Sequence, residues 1–324
     1  MWSAWALTCL IGGGLALYAG WALQLSAHGM PLWLLVAGAP LIYFALILIF
    51  MTLYFAVAWI HRAERPPQAR IGIGATLRLV ANEYRALVGA APRMILYKLL
   101  LHDPVPAPAD APVLLLHGVL CNAGQWAPFA RGLAARNVHP IYTMSYGPPL
   151  ASIDVFADQV AQKIDAILAE TGAVDVVVVA HSMGGLVALA YCRKYGPEKI
   201  RRLISLATPY HGSMHAWFFR GACLTELRCK SAWLEELYRT PFEMPPVSSI
   251  WSWHDSMVAP QTSSRLDGAQ NISLIGVGHN AILADPGAQS RVVALIRSEQ
   301  ALATTEASTS ESLASVAQMP SARA

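Results

Sequence analysis

Apolar and polar positions divide this chain of 324 residues into an apolar front and a body in which short apolar runs alternate with helical patterns. The first sixty residues contain no Asp, Glu, Lys or Arg. They hold two long apolar stretches, 2–25 and 32–60, separated by a short turn-like segment. Each stretch is long enough for a helix to cross a hydrocarbon core about 30 Å thick. The pattern therefore predicts a hairpin of two transmembrane helices over 1–60, rather than a cleaved signal peptide, which a second span would not follow.

The body of the chain shows apolar runs of strand length between stretches with helical periodicity. Four consecutive valines predict a central strand that is buried on both faces. Strands that alternate with helices favour an α/β fold, with a mainly parallel sheet covered by helices on both faces. The predicted strands are 112–116, 139–145, 176–179, 202–207, 247–253 and 272–277, and the predicted helices are 125–136, 154–171, 185–195, 231–239 and 291–298.

Composition changes along the chain predict four parts. The hairpin is followed by a juxtamembrane segment, 61–110, which holds an amphipathic helix at 73–87 and ends in a Pro-rich linker. That helix either lies along anionic lipid headgroups or packs against the globular domain, and the pattern favours neither. The α/β domain covers 111–300, and a tail rich in Ala, Ser and Thr, 301–324, is predicted to be disordered.

Basic residues are concentrated directly after the uncharged first sixty residues. The basic residues between 61 and 100 are Arg62, Arg65, Arg70, Arg78, Arg85, Arg93 and Lys98, against only Glu64 and Glu83. By the positive-inside rule this side is cytoplasmic, which predicts a multi-pass protein of the inner (cell) membrane with its catalytic domain inside. A periplasmic domain is the alternative, because Cys223 and Cys229 are close enough in sequence to pair in an oxidising compartment and otherwise stay free.

The turn after the four valines is the main candidate for chemistry. It reads Ala-His-Ser-Met-Gly over 180–184 and leads into a helical pattern that stops after Tyr195. A strand, a sharp turn of small residues around a serine and a helix form the context of a nucleophile elbow, here with Ala in the first position of G-x-S-x-G. Such a turn strains the backbone at Ser182 and exposes its hydroxyl above the sheet, and Gly184 leaves room for the chain to fold back.

A nucleophilic serine needs a base and a group that orients the base. His279 follows the last predicted strand, in a loop at a carboxyl end where sites on parallel sheets gather. Asp255 follows the preceding strand and is the preferred orienting acid. Asp267 competes with it, but Asp267 precedes a glycine in a turn, where Asp is common for structural reasons. His181, directly before the serine, is predicted to be structural.

Two backbone N–H groups would have to stabilise the negative oxygen that forms during acyl transfer. One is expected from Met183, the residue after the serine, and the other from the loop that follows the first strand, at Val119. Gly118 gives that loop its conformational freedom. Three aromatic residues at 217–219 either form a cap over the acyl site or pack in the ordinary way.

These motifs resemble bacterial triacylglycerol lipases and esterases of the α/β-hydrolase fold. The resemblance rests on the segments 116–118 (Leu-His-Gly), 179–185 (Val-Ala-His-Ser-Met-Gly-Gly), 208–213 (Thr-Pro-Tyr-His-Gly-Ser), 255–258 (Asp-Ser-Met-Val), 264–271 and 276–279 (Gly-Val-Gly-His). It implies that Ser182, Asp255 and His279 are the catalytic triad and that Val119 and Met183 are the oxyanion donors. Family members with the most similar motifs are mostly secreted, whereas the two apolar stretches at the start of this chain predict a membrane protein.

The predicted function is a membrane-anchored serine hydrolase that cleaves carboxylic esters, with an acyl or lipid chain, through an acyl-serine intermediate. An acyltransferase would use the same residues with an alcohol in place of water, and an inactive scaffold that keeps the fold is a third possibility. The expected partners are an ester or lipid substrate and the lipid bilayer. The sequence shows no metal-ligand spacing, phosphate loop or basic nucleic-acid surface, so no cofactor, metal or nucleic acid is predicted. Two spans are too few for a transporter.

Overall fold

The valine run lies in the middle of a six-stranded sheet in which every strand is parallel to its neighbours. The strands are β1 (Val113–Leu116), β2 (Ile141–Thr143), β3 (Val176–His181), β4 (Ile200–Leu206), β5 (Val247–Ser252) and β6 (Gln270–Leu274). Their spatial order is β2-β1-β3-β4-β5-β6. The computed structural model describes residues 2–299, so the tail predicted for 301–324 lies outside the described residues.

Helices pack on both faces of the sheet, as the alternation of patterns predicts. The helices of the body are α6 (Ala127–Ala134), α7 (Ile153–Thr171), α8 (Met183–Tyr195), α9 (Ala222–Glu226), α10 (Ala232–Arg239) and α11 (286–299). One apolar core joins the sheet to α7 and α8, and a second joins its other face to α6 and α11. Val176 and Val178 belong to the first core, and Val177 and Val179 to the second. Each is fully buried, which stabilises the fold by about 1.5–3 kcal/mol per side chain.

The apolar front forms a hairpin of α1 (Trp2–Ala27) and α2 (Leu32–Ile60). Among the described residues, only α2 is long and apolar enough to cross a membrane. The three consecutive glycines at 12–14 reduce the apolar character of α1. The prediction of two spans is therefore supported for α2 alone, and a multi-pass topology is not supported.

The juxtamembrane segment packs against the α/β body, which is one of the two alternatives that the sequence left open. It contains α3 (Ile73–Val88), α4 (Ala90–Ile95) and α5 (Tyr97–Leu100). Helix α3 buries Leu79 and Glu83 and leaves Leu77 two-thirds exposed. An adjacent side faces α2, where the Tyr84 hydroxyl donates a hydrogen bond to the carbonyl oxygen of Phe44. Residues 61–100 thus form a structural layer of the body.

Candidate active site

Ser182 lies at the sharp turn between β3 and α8. Its φ of 55° and ψ of −128° are a strained combination for a residue with a side chain. The two glycines that follow permit this turn, because the backbone and a neighbouring side chain approach them closely. A Cβ on Gly184 would lie 2.5 Å from the carbonyl oxygen of Leu116, and one on Gly185 would lie 2.2 Å from Oγ1 of Thr208. The local geometry is that of the nucleophile elbow that the sequence predicts.

The structure brings His279 and Asp255 together at the carboxyl ends of β5 and β6. Nδ1 of His279 lies 2.9 Å from Oδ2 and 3.0 Å from Oδ1 of the Asp255 carboxylate, and donates to it. Oδ1 also accepts the backbone N–H groups of Met257 and Val258, both at 2.7 Å. Asp267 is exposed to solvent. Of the two acids that the sequence offered, Asp255 is therefore the one positioned to orient the imidazole.

The electrostatic environment of His279 suits a general base. Burial of the ring lowers its pKa, but the charge and hydrogen bond of Asp255, together with the charge of Glu83, outweigh this and raise the pKa above the ordinary value of 6.5. A raised pKa makes an imidazole a better proton acceptor. The paired carboxylate thus compensates for the desolvation of a ring that is almost fully buried.

The contacts within residues 2–299 join base to acid but include no hydrogen bond from Ser182 Oγ to His279. His181, the residue before Ser182, has its ring centroid 4.8 Å from that of His279. Catalytic hydrogen bonds are often long before substrate binds and tighten in the complex. The structure therefore shows a hydrogen-bonded pair of Asp255 and His279 near the turn that carries Ser182.

His181 supports the base through its position in the fold. Its Nε2 donates to the carbonyl oxygen of His279 at 2.9 Å, and its Nδ1 accepts from the amide of Gln125 at 2.9 Å. Burial lowers the pKa of His181 to about 3, so the ring is neutral and can both donate and accept. The structural role predicted for His181 agrees with these contacts. Its carbonyl partner could not be predicted, because it lies 98 residues away.

The loop after β1 passes directly over the serine. A Cβ on Gly118 would lie 3.0 Å from Cβ and 3.4 Å from Oγ of Ser182. The Tyr146 hydroxyl donates to the carbonyl oxygen of His117, whose ring stacks on Tyr146 with centroids 3.9 Å apart. This contact holds the loop that carries Val119 close to Ser182.

The second expected oxyanion donor, Met183, begins α8. The first N–H groups of a helix have no partner within the helix, so the backbone N–H of Met183 is suited to bind a substrate oxygen. A narrow cavity of about 10 Å³, the size of a single water, lies next to this position. Its lining includes Tyr146, Leu150, Phe156 and Cys223.

Replacing Gly118 by Ala is expected to lower kcat about tenfold. The added methyl group must displace either the oxyanion loop or Ser182 by a few tenths of an ångström. A misplacement of a full 1 Å lowers the rate about a hundredfold, so the smaller displacement is expected to have a smaller effect. Steady-state kinetics on a soluble ester measures this. Gly74→Ala is the matched control, since nothing lies within 4 Å of a Cβ at that position. Wild-type kcat in Gly118→Ala would show that the loop does not approach the reacting atoms.

The structure also shows the state of the cysteines and the position of the three aromatic residues at 217–219. All five cysteines are free, so Cys223 and Cys229 do not form the bridge that an oxidising compartment would allow. Of the three aromatics in the expected cap, Trp217 and Phe218 are exposed and Phe219 packs against the core. Within residues 2–299, no group of three His, Cys, Asp or Glu side chains is arranged to hold a metal ion.

Comparison with known proteins agrees with this geometry. Residues 111–220 match the family model of the alpha/beta hydrolase fold. The mature form of Bacillus licheniformis lipase BlEst2 is similar, with 18% identity and a TM-score of 0.53 over 60% of this chain and 96% of the lipase. Aspergillus fumigatus lipase B has 19% identity and a TM-score of 0.51 over 61% of this chain and 56% of its own. The body of the chain thus has the α/β-hydrolase fold that the resemblance implied, and function must be inferred from the site.

Proposed function

We propose that this protein is a serine hydrolase that cleaves carboxylic esters through an acyl-serine intermediate. The observation that carries the proposal is the buried Asp255–His279 pair, together with a serine held at a strained strand–helix turn whose preceding residue, His181, contacts His279. A histidine whose pKa is raised by a paired carboxylate, close to such a serine, is the arrangement that nucleophilic acyl transfer requires.

In the proposed reaction, Ser182 attacks the ester carbonyl while Nε2 of His279 takes the proton from its hydroxyl. The N–H groups of Val119 and Met183 stabilise the negative oxygen of the tetrahedral intermediate. His279 then returns the proton to the leaving alcohol, and the acyl group stays on Ser182. A water molecule, activated by the same histidine, releases the acid. Asp255 keeps the imidazole proton on Nδ1 throughout, so that Nε2 remains free to act as the base.

An acyl or lipid chain is the substrate class that best fits the surroundings of Ser182. The narrow cavity beside the oxyanion position is lined mainly by apolar side chains. Helix α2 is long and apolar, and its backbone contacts the body near the site. In that contact, Nε2 of His215 donates to the carbonyl oxygen of Tyr54 at 3.0 Å. The two similar structures described above are named lipases. We infer that α2 attaches the enzyme to a membrane, with the basic segment behind it on the cytoplasmic side.

A fluorophosphonate probe tests the proposal, because it reacts only with an activated serine. The full-length protein in detergent is expected to be labelled, and Ser182→Ala is expected to lose all labelling. Ser298→Ala, which changes an exposed serine on α11, should be labelled like the wild type. Hydrolysis of p-nitrophenyl esters of increasing chain length then defines the acyl preference.

The same assays separate the rival functions. An acyltransferase would be labelled equally but would form a new ester when an alcohol acceptor is added. An inactive scaffold would neither react with the probe nor hydrolyse an ester, and the absence of labelling in the folded wild-type protein would overturn the proposal.

A further inference from the structure

A carboxylate from the juxtamembrane helix α3 lies against both loops that carry the acid and the base. Glu83 is completely buried. Its carboxylate accepts the Ser256 hydroxyl at 2.9 Å, the side-chain amide of Asn280 at 2.9 Å, and the backbone N–H groups of Asn280 and Ala281 at 3.0 and 2.9 Å. Ser256 directly follows Asp255, and Asn280 directly follows His279.

The cost of burying this charge indicates a specific role. An ionised carboxylate without a paired cation is expensive to bury, and within residues 2–299 no Lys, Arg or His forms an ion pair with Glu83. Four neutral donors instead satisfy both of its oxygens. The approach is also close: a Cβ on Gly278, the residue before His279, would lie 2.3 Å from Oε2 of Glu83. A glycine at 278 therefore allows the carboxylate to reach the base loop.

Two further contacts tie the same membrane-proximal chain to the site. The amide of Gln261 donates to the carbonyl oxygen of Asp255 at 3.2 Å, and its oxygen accepts the N–H of Ala63, just beyond α2, at 3.1 Å. The Asn122 amide, in the loop after β1, donates to the carbonyl oxygen of Met94 in α4 at 2.9 Å. The acid loop, the base loop and the oxyanion loop are each hydrogen-bonded to residues between 61 and 100.

We propose that Glu83 is a positioning residue, which holds the loops of Asp255 and His279 in register with each other and makes catalysis depend on the docking of α3. This inference rests on the proposed serine hydrolase activity. The acid and base loops leave different strands, β5 and β6, and Glu83 contacts both at once. Without Glu83, the Asp255–His279 pair would lose this support from α3 and would have to hold its own geometry.

The charge of Glu83 also acts on the base. The titratable groups that face His279 are Asp255, Glu83, His181 and His215. Burial lowers the pKa of His279, and the two carboxylates raise it. Both neighbouring imidazoles have lowered pKa values because they are buried, so they remain neutral. Removal of the Glu83 charge must therefore lower the pKa of His279, an effect that a purely structural contact would not produce.

The test compares Glu83→Gln with Glu64→Gln in the full-length protein in detergent. Both changes remove one negative charge from the same segment, but Glu64 is exposed. In Glu83→Gln, one oxygen becomes an NH2 group that faces the N–H groups of the base loop. We expect kcat to fall about 10- to 100-fold with little change in KM for a short ester. We also expect the acidic limb of the kcat/KM profile to move to lower pH. Glu64→Gln should match the wild type in both respects.

A folded Glu83→Gln protein with wild-type kcat and an unmoved acidic limb would overturn the inference and leave the proposed function intact. If Glu83→Gln does not fold, Ser256→Ala removes a single hydrogen bond and is expected to lower kcat about fivefold. Wild-type kcat in a folded Ser256→Ala would then overturn it. A folded wild-type protein with no hydrolysis and no fluorophosphonate labelling would overturn the proposed function, and this inference with it.

Discussion

Replacing Asp255 by Asn is expected to lower kcat about 10⁴-fold while the protein stays folded. Oδ1 of Asp255 accepts two backbone N–H groups, so the amide oxygen of Asn would take that position. The NH2 group would then occupy the position of Oδ2, which is 2.9 Å from Nδ1 of His279. Two donors cannot face each other, so the imidazole proton would move to Nε2. The ring could then no longer accept the proton of Ser182.

Steady-state kinetics with a soluble ester, together with a thermal unfolding curve, measures this effect. Asp267→Asn is the matched control, because it makes the same chemical change at the exposed acid that the sequence offered as a competitor. Its kcat should stay close to that of the wild type. If Asp267→Asn is the inactive variant and Asp255→Asn turns over normally, the assignment of the acid is wrong.

Removing residues 1–105 is expected to abolish activity entirely, whereas removing residues 1–60 is expected to leave a folded enzyme that hydrolyses soluble short-chain esters. The shorter deletion takes away the apolar hairpin but keeps α3 and Glu83. The longer deletion leaves the N–H groups of Asn280 and Ala281 without their carboxylate and uncovers the loop after β1. Water can then reach these N–H groups, but it cannot hold the acid and base loops in a fixed relative position, so both loops lose the support that Glu83 gives them.

Both truncated proteins can be compared by size-exclusion chromatography, fluorophosphonate labelling and ester hydrolysis. The 1–60 deletion is the control for loss of membrane attachment, since it differs from the longer deletion only in residues 61–105. Equal activity of the two proteins would show that α3, α4 and α5 contribute nothing to the site. A folded but inactive 1–60 deletion would instead assign a catalytic role to the hairpin itself.

The local sequence pattern determined most of the secondary structure of the α/β domain and the turn at Ser182. The valine run and the turn around Ser182 predicted a buried strand, a strained turn and a helix, because each depends on neighbours within a few residues. The order of strands and helices predicted the parallel sheet and placed His279 and Asp255 at its carboxyl edge. Their catalytic roles remain predictions from the sequence. The choice of Asp255 over Asp267 was reasoned from position in the chain, and the hydrogen bond to His279 adds the geometry.

Contacts between distant segments were decided only by the tertiary structure. In the sequence, Glu83 is one of two acids in a basic stretch, which is the pattern of a solvated surface, and its partner Asn280 lies 197 residues further on. The same holds for the carbonyl partner of His181 and for the docking of α3, where the buried face carries Leu79 and Glu83. Apolar periodicity shows which side of a helix avoids water. It does not show which neighbour covers that side, nor that a buried carboxylate is satisfied there by donors from loops that folding alone brings together.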